Sequence, residues 1–414
     1  MFRVFGFLLF PLILVAKPLD VEVHAESALL MNADTGAVLF DKNGTKEMYP
    51  ASITKIVTAA YALECCPPEA LDRLVTAKQE ALSSISSQAK VNANFSLPSH
   101  WLEIGATHMG IKKGEQLTLK DLLYGHLVAS AGDASNVIAQ EIGGTIPEFV
   151  NGMNHYVRKL GATKTHFCNP HGLHHPKHVT TAYDMALIAK QAIKHPLIRE
   201  IASTKQYARP KTNLQEGTTL VQGNRLIRSG PFHYPAAFGL KTGYHAAAGH
   251  TIVAAAEKNR RTLIAVVLKC KERGEIFEDC IRLFEAAFQE PQMERIILRA
   301  GPQKHQLTLT GSRRPITSYT KEDVTCTYYP SEEPALKCFL QWDDLELPIR
   351  QDQQIGHLQV IKNEDVYAVV PLFAANGVEK SWSFRHPILV WCFKAVVILA
   401  IVALFLLFFL KRRR

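Results

Sequence analysis

The C-terminal end of the chain carries one long apolar segment. From Pro387 to Leu410 the only charged side chain is that of Lys394, and the basic run Lys411–Arg414 follows. A helix of this length crosses the hydrocarbon core of a bilayer, and basic residues favour its cytoplasmic side. A buried core helix is the alternative, but core helices are rarely apolar on every face. The segment predicts a transmembrane anchor at 387–410, a cytoplasmic end at 411–414, and a body outside the cytoplasmic membrane.

The N-terminus has the pattern of a secretory signal peptide. Arg3 precedes the uncharged run Val4–Ala16, which is shorter than the ~20 residues that a membrane-spanning helix needs. Cleavage after Ala25 suits the compact residues Val23 and Ala25, and cleavage after Ala16 is the alternative. We therefore predict export, with residues 1–25 as the signal peptide and its cleavage site left open.

Composition limits the number of domains and the partners. A chain of 414 residues with 47% hydrophobic content has room for two domains. Five positive charges of the net +9 belong to the C-terminal segment, and the rest are dispersed, so nucleic acid is not predicted as a partner. Of eight cysteines, Cys392 lies in the apolar segment, and the remaining odd number shows no zinc spacing. Cys65 and Cys66 are adjacent, which favours a bridge between Cys326 and Cys338.

Apolar periodicity predicts an α+β domain followed by a small all-β domain. Strands are expected in two hairpins, 28–32 with 37–41 and 251–256 with 262–268, on the pattern of apolar runs around turn residues. Helices are expected at 53–63, 119–128, 134–142 and 277–288, the first with Ser52 as its N-cap. Residues 84–100 are rich in Ser, Asn and Ala without a period, which indicates a surface loop. Short alternating strands follow from 293 to 380.

The stretch Ser52-Ile53-Thr54-Lys55 contains a candidate nucleophile and its base. A serine hydroxyl needs a nearby base at neutral pH, and residues three apart on a helix share one face, so the Lys55 amine can reach Ser52 Oγ. Free N–H groups at the start of a helix also favour an oxyanion. By itself the pattern is common, since a serine often merely caps a helix.

Two further short motifs follow at separations that suit one active site. Ser130-Ala131-Gly132 precedes a predicted helix, and Lys241-Thr242-Gly243 begins a predicted strand. Lys241 offers a cation and Thr242 a hydroxyl for a carboxylate, while Gly243 permits a close backbone approach. With Ser52 and Lys55 they form the S-x-x-K, S-x-N and K-T-G set of penicillin-recognising serine enzymes.

The chain resembles the low-molecular-mass D-alanyl-D-alanine carboxypeptidases, which are penicillin-binding proteins. The resemblance extends from about residue 28 to 288, and the tail motifs at 347–349 and 354–358 resemble that family's β-domain. It implies a β-lactamase/DD-peptidase-like domain at 26–290, with a central antiparallel sheet and a helical subdomain, and a β-rich domain at 291–382. The stretches that carry it are Tyr49–Lys55, Asn169–Leu173, Thr180–Met185 and Gly239–Tyr244.

The resemblance also implies roles for the motif residues. Ser52 would form an acyl-enzyme, with Lys55 as its general base and Ser130 as the relay that protonates the leaving D-alanine. Lys241, Thr242 and Gly243 would bind the substrate, its carboxylate at the first two. The backbone N–H groups of Ser52 and Tyr244 would form the oxyanion hole. The expected partners are a peptidoglycan pentapeptide, β-lactam antibiotics and the lipid bilayer.

The chain departs from the family pattern at two positions. Gly132 stands where the family has an asparagine, and Asn136 is out of register with it. Ile276 stands where relatives carry a carboxylate-binding arginine, which leaves Arg273 as the nearest candidate. These departures keep open a catalytically weak or idle peptidoglycan-binding or penicillin-binding scaffold. A β-lactamase is a second alternative, but no Glu-x-x-Leu-Asn loop follows the second motif.

A run of histidines invites a metal interpretation. His171, His174, His175 and His178 lie close in sequence, but His171 belongs to the Asn-Pro-His-Gly-Leu stretch, and no carboxylate or cysteine completes a site. The sequence therefore predicts neither a metal nor a cofactor.

Overall fold

The computed structural model describes residues 7–9 and 16–411. The chain divides into two compact bodies. The larger body comprises residues 17–291 with 330–332, and the smaller comprises 292–329, 333–411 and the described residues before 17. Part of the predicted signal peptide, residues 1–6 and 10–15, lies outside the described residues, as do residues 412–414.

The strands and helices are numbered here in chain order. The strands are β1 (Phe7–Leu9), β2 (Ser27–Asn32), β3 (Val38–Lys42), β4 (Leu74–Thr76), β5 (Ser84–Ile85), β6 (Leu102–Glu103), β7 (Gln116–Thr118), β8 (Gln206–Arg209), β9 (Thr218–Val221), β10 (Ala237–His245), β11 (Gly249–Lys258), β12 (Arg261–Cys270), β13 (Met293–Leu298), β14 (Gly301–Leu307), β15 (Ile316–Thr320), β16 (Val324–Tyr328), β17 (Leu336–Trp342), β18 (Gln354–Lys362) and β19 (Asp365–Ala374). The helices are α1 (Lys55–Cys65), α2 (Ser87–Asn92), α3 (Leu119–Val128), α4 (Gly132–Gly143), α5 (Ile146–Lys159), α6 (Ala182–Ala192), α7 (Pro196–Ser203), α8 (Glu275–Phe288), α9 (Trp382–Arg385) and α10 (Pro387–Lys411).

A five-stranded antiparallel sheet in the order β10-β11-β12-β2-β3 forms the centre of the larger body. Successive residues of a strand point to opposite faces, and both faces of this sheet are covered. Leu29 and Met31 of β2 pack with the helices α1 and α3 to α7, whereas Ala28 and Leu30 pack on the side of α8. β12 is apolar on both faces for the same reason. The predicted α+β class, with a central antiparallel sheet and a helical subdomain, is confirmed.

The segment before β2 is part of the larger body. The backbone N–H groups of His24 and Ala25 donate to the two carboxylate oxygens of Asp279 at 3.0 and 2.9 Å. Val23 and Ala25 are buried in the core beside α8, and Lys42 Nζ donates to the carbonyl of Val23 at 2.8 Å. Cleavage after Ala25 would remove these contacts, so of the two sites left open by the sequence, they favour the one after Ala16.

The smaller body is rich in β-structure. A six-stranded sheet has the order β1-β17-β18-β19-β15-β14, and β13 pairs with β16. Its core includes Ile316, Leu358 and Leu372. The expected bridge between Cys326 and Cys338 is wrong, since both are free thiols. Cys326 lies opposite Arg295 in the two-stranded sheet, whereas β17, which contains Cys338, belongs to the six-stranded sheet.

Helix α10 has the properties of a membrane span. The stretch Pro387–Leu406 has a mean hydropathy of 2.8, and none of it is buried against the rest of the protein. The exposure of a continuous apolar helix is unfavourable in water and favourable in a lipid core. The predicted transmembrane helix is therefore supported by its length, composition and exposure.

Most of the predicted elements are present, with two local differences. Both predicted hairpins occur, and the helix at 119–128 has the predicted bounds. The stretch 84–100 contains the short helix α2 in addition to loop. Ser52 is not an N-cap, because the helix is preceded by a 3-10 turn at Ala51–Thr54 that contains Ser52 within it.

Candidate active site

Ser52 lies in the 3-10 turn that leads into α1. The turn begins at Ala51, whose φ of 53° is unusual for a residue with a side chain. Strained backbone of this kind is found where surrounding structure imposes a functional geometry. Ile53 and Thr54 of this turn are fully buried, while Ser52 lines a cleft of about 390 Å³. Because its neighbours in the turn are buried, Ser52 is held in a fixed position at the wall of the cleft.

Lys55 lies beside Ser52 and is buried. Its Nζ lies 3.1 Å from Ser52 Oγ, and the side chain is almost completely buried. Burial, and then the positive charge of Lys241, lower the pKa of Lys55 well below 10.5, while Asp133 opposes the shift. A larger share of Lys55 is thus neutral near pH 7 than for an ordinary lysine, which is what proton abstraction from a hydroxyl requires.

A loop distant in sequence orients the Lys55 amine. The carbonyl of His171 accepts a hydrogen bond from Lys55 Nζ at 2.5 Å. Asn169 closes the loop, since its side chain accepts from the Gly172 N–H at 2.8 Å. Gly172 has a φ of 86°, and a side chain there would collide with the carbonyl oxygen of Ala51. The loop therefore fits against the serine turn only with glycine at this position.

His126 supports Lys55 from below. Its Nε2 lies 2.8 Å from the carbonyl of Lys55, and its Nδ1 lies 2.8 Å from Ser135 Oγ. Burial, with the charge of Lys55, lowers the pKa of His126 well below 6.5, so the ring is neutral. Because both ring nitrogens form hydrogen bonds and the ring is neutral, His126 fixes the backbone of Lys55 without placing a second charge near its amine. This residue gave no signal in the sequence.

Strand β10 lines the cleft beside the serine turn and presents the third motif. Lys241 is 3% exposed, and burial lowers its pKa to about 7. Its Nζ donates to the carbonyl of Thr242 at 2.8 Å, and both residues line the cleft with Ser52 and Ser130. A buried cation beside a hydroxyl suits the recognition of a carboxylate.

Gly243 brings β10 against the serine turn. A Cβ at this position would lie 2.6 Å from Thr251 Oγ1 and 2.8 Å from the backbone nitrogen of Ser52. No side chain fits at these distances, so Gly243 is needed for the approach of the strand to Ser52. The sequence prediction assigned this glycine to the substrate backbone, and the contact with the serine turn is an additional role.

The outer end of the cleft carries Tyr244 and a positive charge. Tyr244 is 61% exposed, and its ring stacks on His250 with 4.4 Å between centroids. Burial, and then the charge of Arg273, lower the pKa of His250. Arg273 lines the cleft together with Ile276, the buried residue at the family's arginine position. Ile276 brings no charge to the cleft, whereas the exposed Arg273 brings a guanidinium group to it.

The second motif places Ser130 and Gly132 differently. Ser130 lines the cleft with a φ of 60°, whereas Gly132 is buried at the start of α4 and has no side chain to offer. Asn136 does not compensate for this, because it is fully buried and its Nδ2 donates to the carbonyls of Ala81 and His100.

The histidine run makes structural contacts. His178 Nε2 lies 2.9 Å from Thr54 Oγ1, and His171 Nε2 lies 3.1 Å from the carbonyl of His100. His174 packs edge-on against Tyr49. Across residues 7–9 and 16–411, no three His, Cys, Asp or Glu side chains are grouped to hold a metal ion.

The fold and the site together are those of a serine-type hydrolase. The profile of the D-alanyl-D-alanine carboxypeptidase family matches residues 14–272, and that of the penicillin-binding protein 5 C-terminal domain matches residues 300–380. The chain belongs to the D-alanyl-D-alanine carboxypeptidase family.

Individual relatives match over most of their length. The D-alanyl-D-alanine carboxypeptidase DacF of Bacillus subtilis is 31% identical over 86% of this chain and 87% of its own. The DacD enzyme of Escherichia coli is 28% identical over 89% and 91%. The crystal structure of penicillin-binding protein 5 from Haemophilus influenzae superposes with a TM-score of 0.58 and 25% identity, over 87% of this chain and 99% of that one.

Proposed function

We propose that this protein removes the terminal D-alanine from peptidoglycan pentapeptides through an acyl-enzyme on Ser52. The observation that carries the proposal is the pair formed by Ser52 Oγ and the buried amine of Lys55, 3.1 Å apart. Neutral Lys55 takes the hydroxyl proton as Ser52 attacks the carbonyl of the penultimate D-alanine. The Ser52 and Tyr244 N–H groups stabilise the oxyanion.

The remaining steps use the other residues of the cleft. The proton taken by Lys55 passes through the Ser130 hydroxyl to the leaving nitrogen as the peptide bond breaks and D-alanine departs. Water then attacks the ester, with Lys55 again as base, and returns free Ser52 and a shortened peptide. A β-lactam acylates Ser52 in the same way, and its leaving nitrogen stays attached to the ring, so its ester hydrolyses slowly.

The D-alanine release test separates this function from its alternatives. The full-length protein in detergent is incubated with a synthetic peptide that ends in D-Ala-D-Ala, and free D-alanine is measured. A carboxypeptidase releases D-alanine and keeps a labelled penicillin covalently bound. An idle scaffold releases none, whereas a β-lactamase turns penicillin over without retaining the label.

Arg273 is proposed to bind the C-terminal carboxylate with Lys241 and Thr242. Since Arg273 is exposed, its charge is screened, and we expect Arg273→Gln to raise KM by about fivefold with little change in kcat. The KM for the D-Ala-D-Ala peptide is measured against that of Arg282→Gln, an arginine of α8 outside the cleft. Equal KM values for the two variants would remove Arg273 from the binding site.

We further propose that α10 anchors the protein in the cytoplasmic membrane with the larger body outside. Deletion of residues 387–414 removes the apolar helix and the basic end, and is expected to move the protein from the membrane fraction to the soluble fraction. The truncated protein should still bind labelled penicillin, because the cleft residues precede residue 277. Retention of the truncated, signal-processed protein in the membrane fraction would contradict the anchor.

A further inference from the structure

In this protein a loop packs against Gly132, the position at which the family has an asparagine. The backbone N–H of Gly132 donates to the carbonyl of Thr107 at 2.9 Å. A Cβ at Gly132 would lie 3.1 Å from Leu102 Cδ2 and 3.5 Å from the carbonyl oxygen of Thr107. The segment from Leu102 to Thr107 therefore occupies the space next to position 132, where the family has an amide side chain.

Thr107 brings a polar side chain to the cleft at this point. It lines the cleft together with Ser52, Ser130 and Lys241 and is exposed. Within residues 7–9 and 16–411, no side chain or backbone group forms a hydrogen bond with its hydroxyl. Its carbonyl, by contrast, is engaged by Gly132. The hydroxyl is thus available to a bound ligand, while the backbone of the same residue is held against the second motif.

The loop is tied to the second motif by Asp133. The carboxylate of Asp133 accepts hydrogen bonds from the backbone N–H groups of Met109 at 3.1 Å and Ile111 at 3.0 Å. Asp133 is 3% exposed, and its carboxylate also accepts from the Ala134 N–H. Charge-assisted hydrogen bonds of this kind are stronger than neutral ones, so the loop keeps a defined position over α4.

We propose that the Thr107 hydroxyl takes the place of the missing amide at position 132 and hydrogen-bonds the peptide amide on the acyl side of the scissile bond. This proposal rests on the proposed carboxypeptidase function. A hydroxyl both donates and accepts, so it can pair with the N–H or the C=O of a peptide group. Threonine is also restricted at χ1, which reduces the side-chain entropy lost on binding. Specificity for the peptide thus depends on a loop residue outside the three motifs.

The test compares Thr107→Val with Thr107→Ser. Valine keeps the shape and removes the hydroxyl, whereas serine keeps the hydroxyl. We expect Thr107→Val to lower kcat/KM for the D-Ala-D-Ala peptide by about three- to tenfold, the cost of one lost hydrogen bond, and Thr107→Ser to stay near wild type. His108→Ala is the matched control, because His108 is an exposed neighbour that does not line the cleft.

A second substrate separates binding from a structural effect. In this peptide the amide between the third and fourth residues is replaced by an ester, which removes the N–H and weakens the carbonyl acceptor. We expect the wild-type and Thr107→Val enzymes to differ by less than twofold on the ester peptide. An equal loss on both peptides, or an equal loss in Thr107→Ser and Thr107→Val, would overturn the proposal.

The rate of Ser52 acylation by benzylpenicillin provides a measurement independent of D-alanine release. Its side-chain amide corresponds to the same peptide group, so Thr107→Val should slow acylation by a similar factor. If the wild-type protein releases no D-alanine, the carboxypeptidase function fails, while slower acylation of Thr107→Val still supports the contact. Unchanged acylation and unchanged peptide turnover in Thr107→Val would reject it.

Discussion

Ser52→Ala is expected to abolish covalent labelling by penicillin and to lower D-alanine release by at least ~10⁴-fold, since loss of a nucleophile removes the acyl-enzyme route. Ser52 is the serine that lies 3.1 Å from the buried amine of Lys55. The measurement is covalent labelling on a denaturing gel, together with D-alanine release from the peptide. The fold should be unaffected, because the side chain faces the cleft and only its hydroxyl is removed.

Ser87→Ala is the control for this experiment. Ser87 is an exposed serine at the start of α2, and its hydroxyl donates to Glu103 rather than facing the cleft. It should label like wild type. Persistent labelling of Ser52→Ala, with the modified peptide mapped to another serine, would show that the nucleophile has been assigned wrongly.

Lys55→Met is expected to reduce acylation by roughly 10²- to 10⁴-fold, the range associated with loss of a general base. Methionine keeps most of the buried volume and cannot take a proton. The second-order rate of penicillin acylation is the measurement, with Lys113→Met as an exposed lysine control. A wild-type rate in Lys55→Met would assign the proton transfer to another group.

The pH dependence of wild-type acylation tests whether neutral or protonated Lys55 is the active form. Burial and the charge of Lys241 lower the pKa of Lys55, and the neutral amine is the active form. Acylation should therefore rise with pH through a pKa below 10.5 and lose that rise in Lys55→Met. At saturating penicillin, where weaker carboxylate binding by neutral Lys241 does not limit the rate, a rate that falls as pH increases through this range would show that protonated Lys55 is the form required.

The residues of the three motifs were predictable because their chemistry is local. Ser52 and Lys55 are three residues apart, and the structure brings their side chains together as the spacing predicts. The central sheet was also predictable, since Leu29 and Leu30 lie in a run that is apolar on both faces. The N-cap assigned to Ser52 was wrong because the helix is preceded by a 3-10 turn, and such turns leave little trace in periodicity.

The supports of the site were not predictable from sequence. The Lys55 amine is held by the carbonyl of His171, and every residue has a carbonyl, so residue type contains no signal for this contact. Thr107 lies in a stretch without a motif, and only the tertiary arrangement brings it to Gly132. The prediction of a Cys326–Cys338 bridge was wrong because the pairing of strands, rather than proximity in sequence, decides which cysteines lie together.

The proposed role of Lys241 links substrate binding to the pH of the surroundings. Burial sets its pKa at about 7, and a carboxylate placed beside the amine raises that value, because an opposite charge favours the protonated form. At neutral pH the arrival of a peptide therefore draws a fraction of a proton from the medium, and the departure of D-alanine returns it. We therefore expect affinity for carboxylate-terminated ligands to weaken in alkaline conditions, so that the pH around the enzyme alters how much of it is occupied.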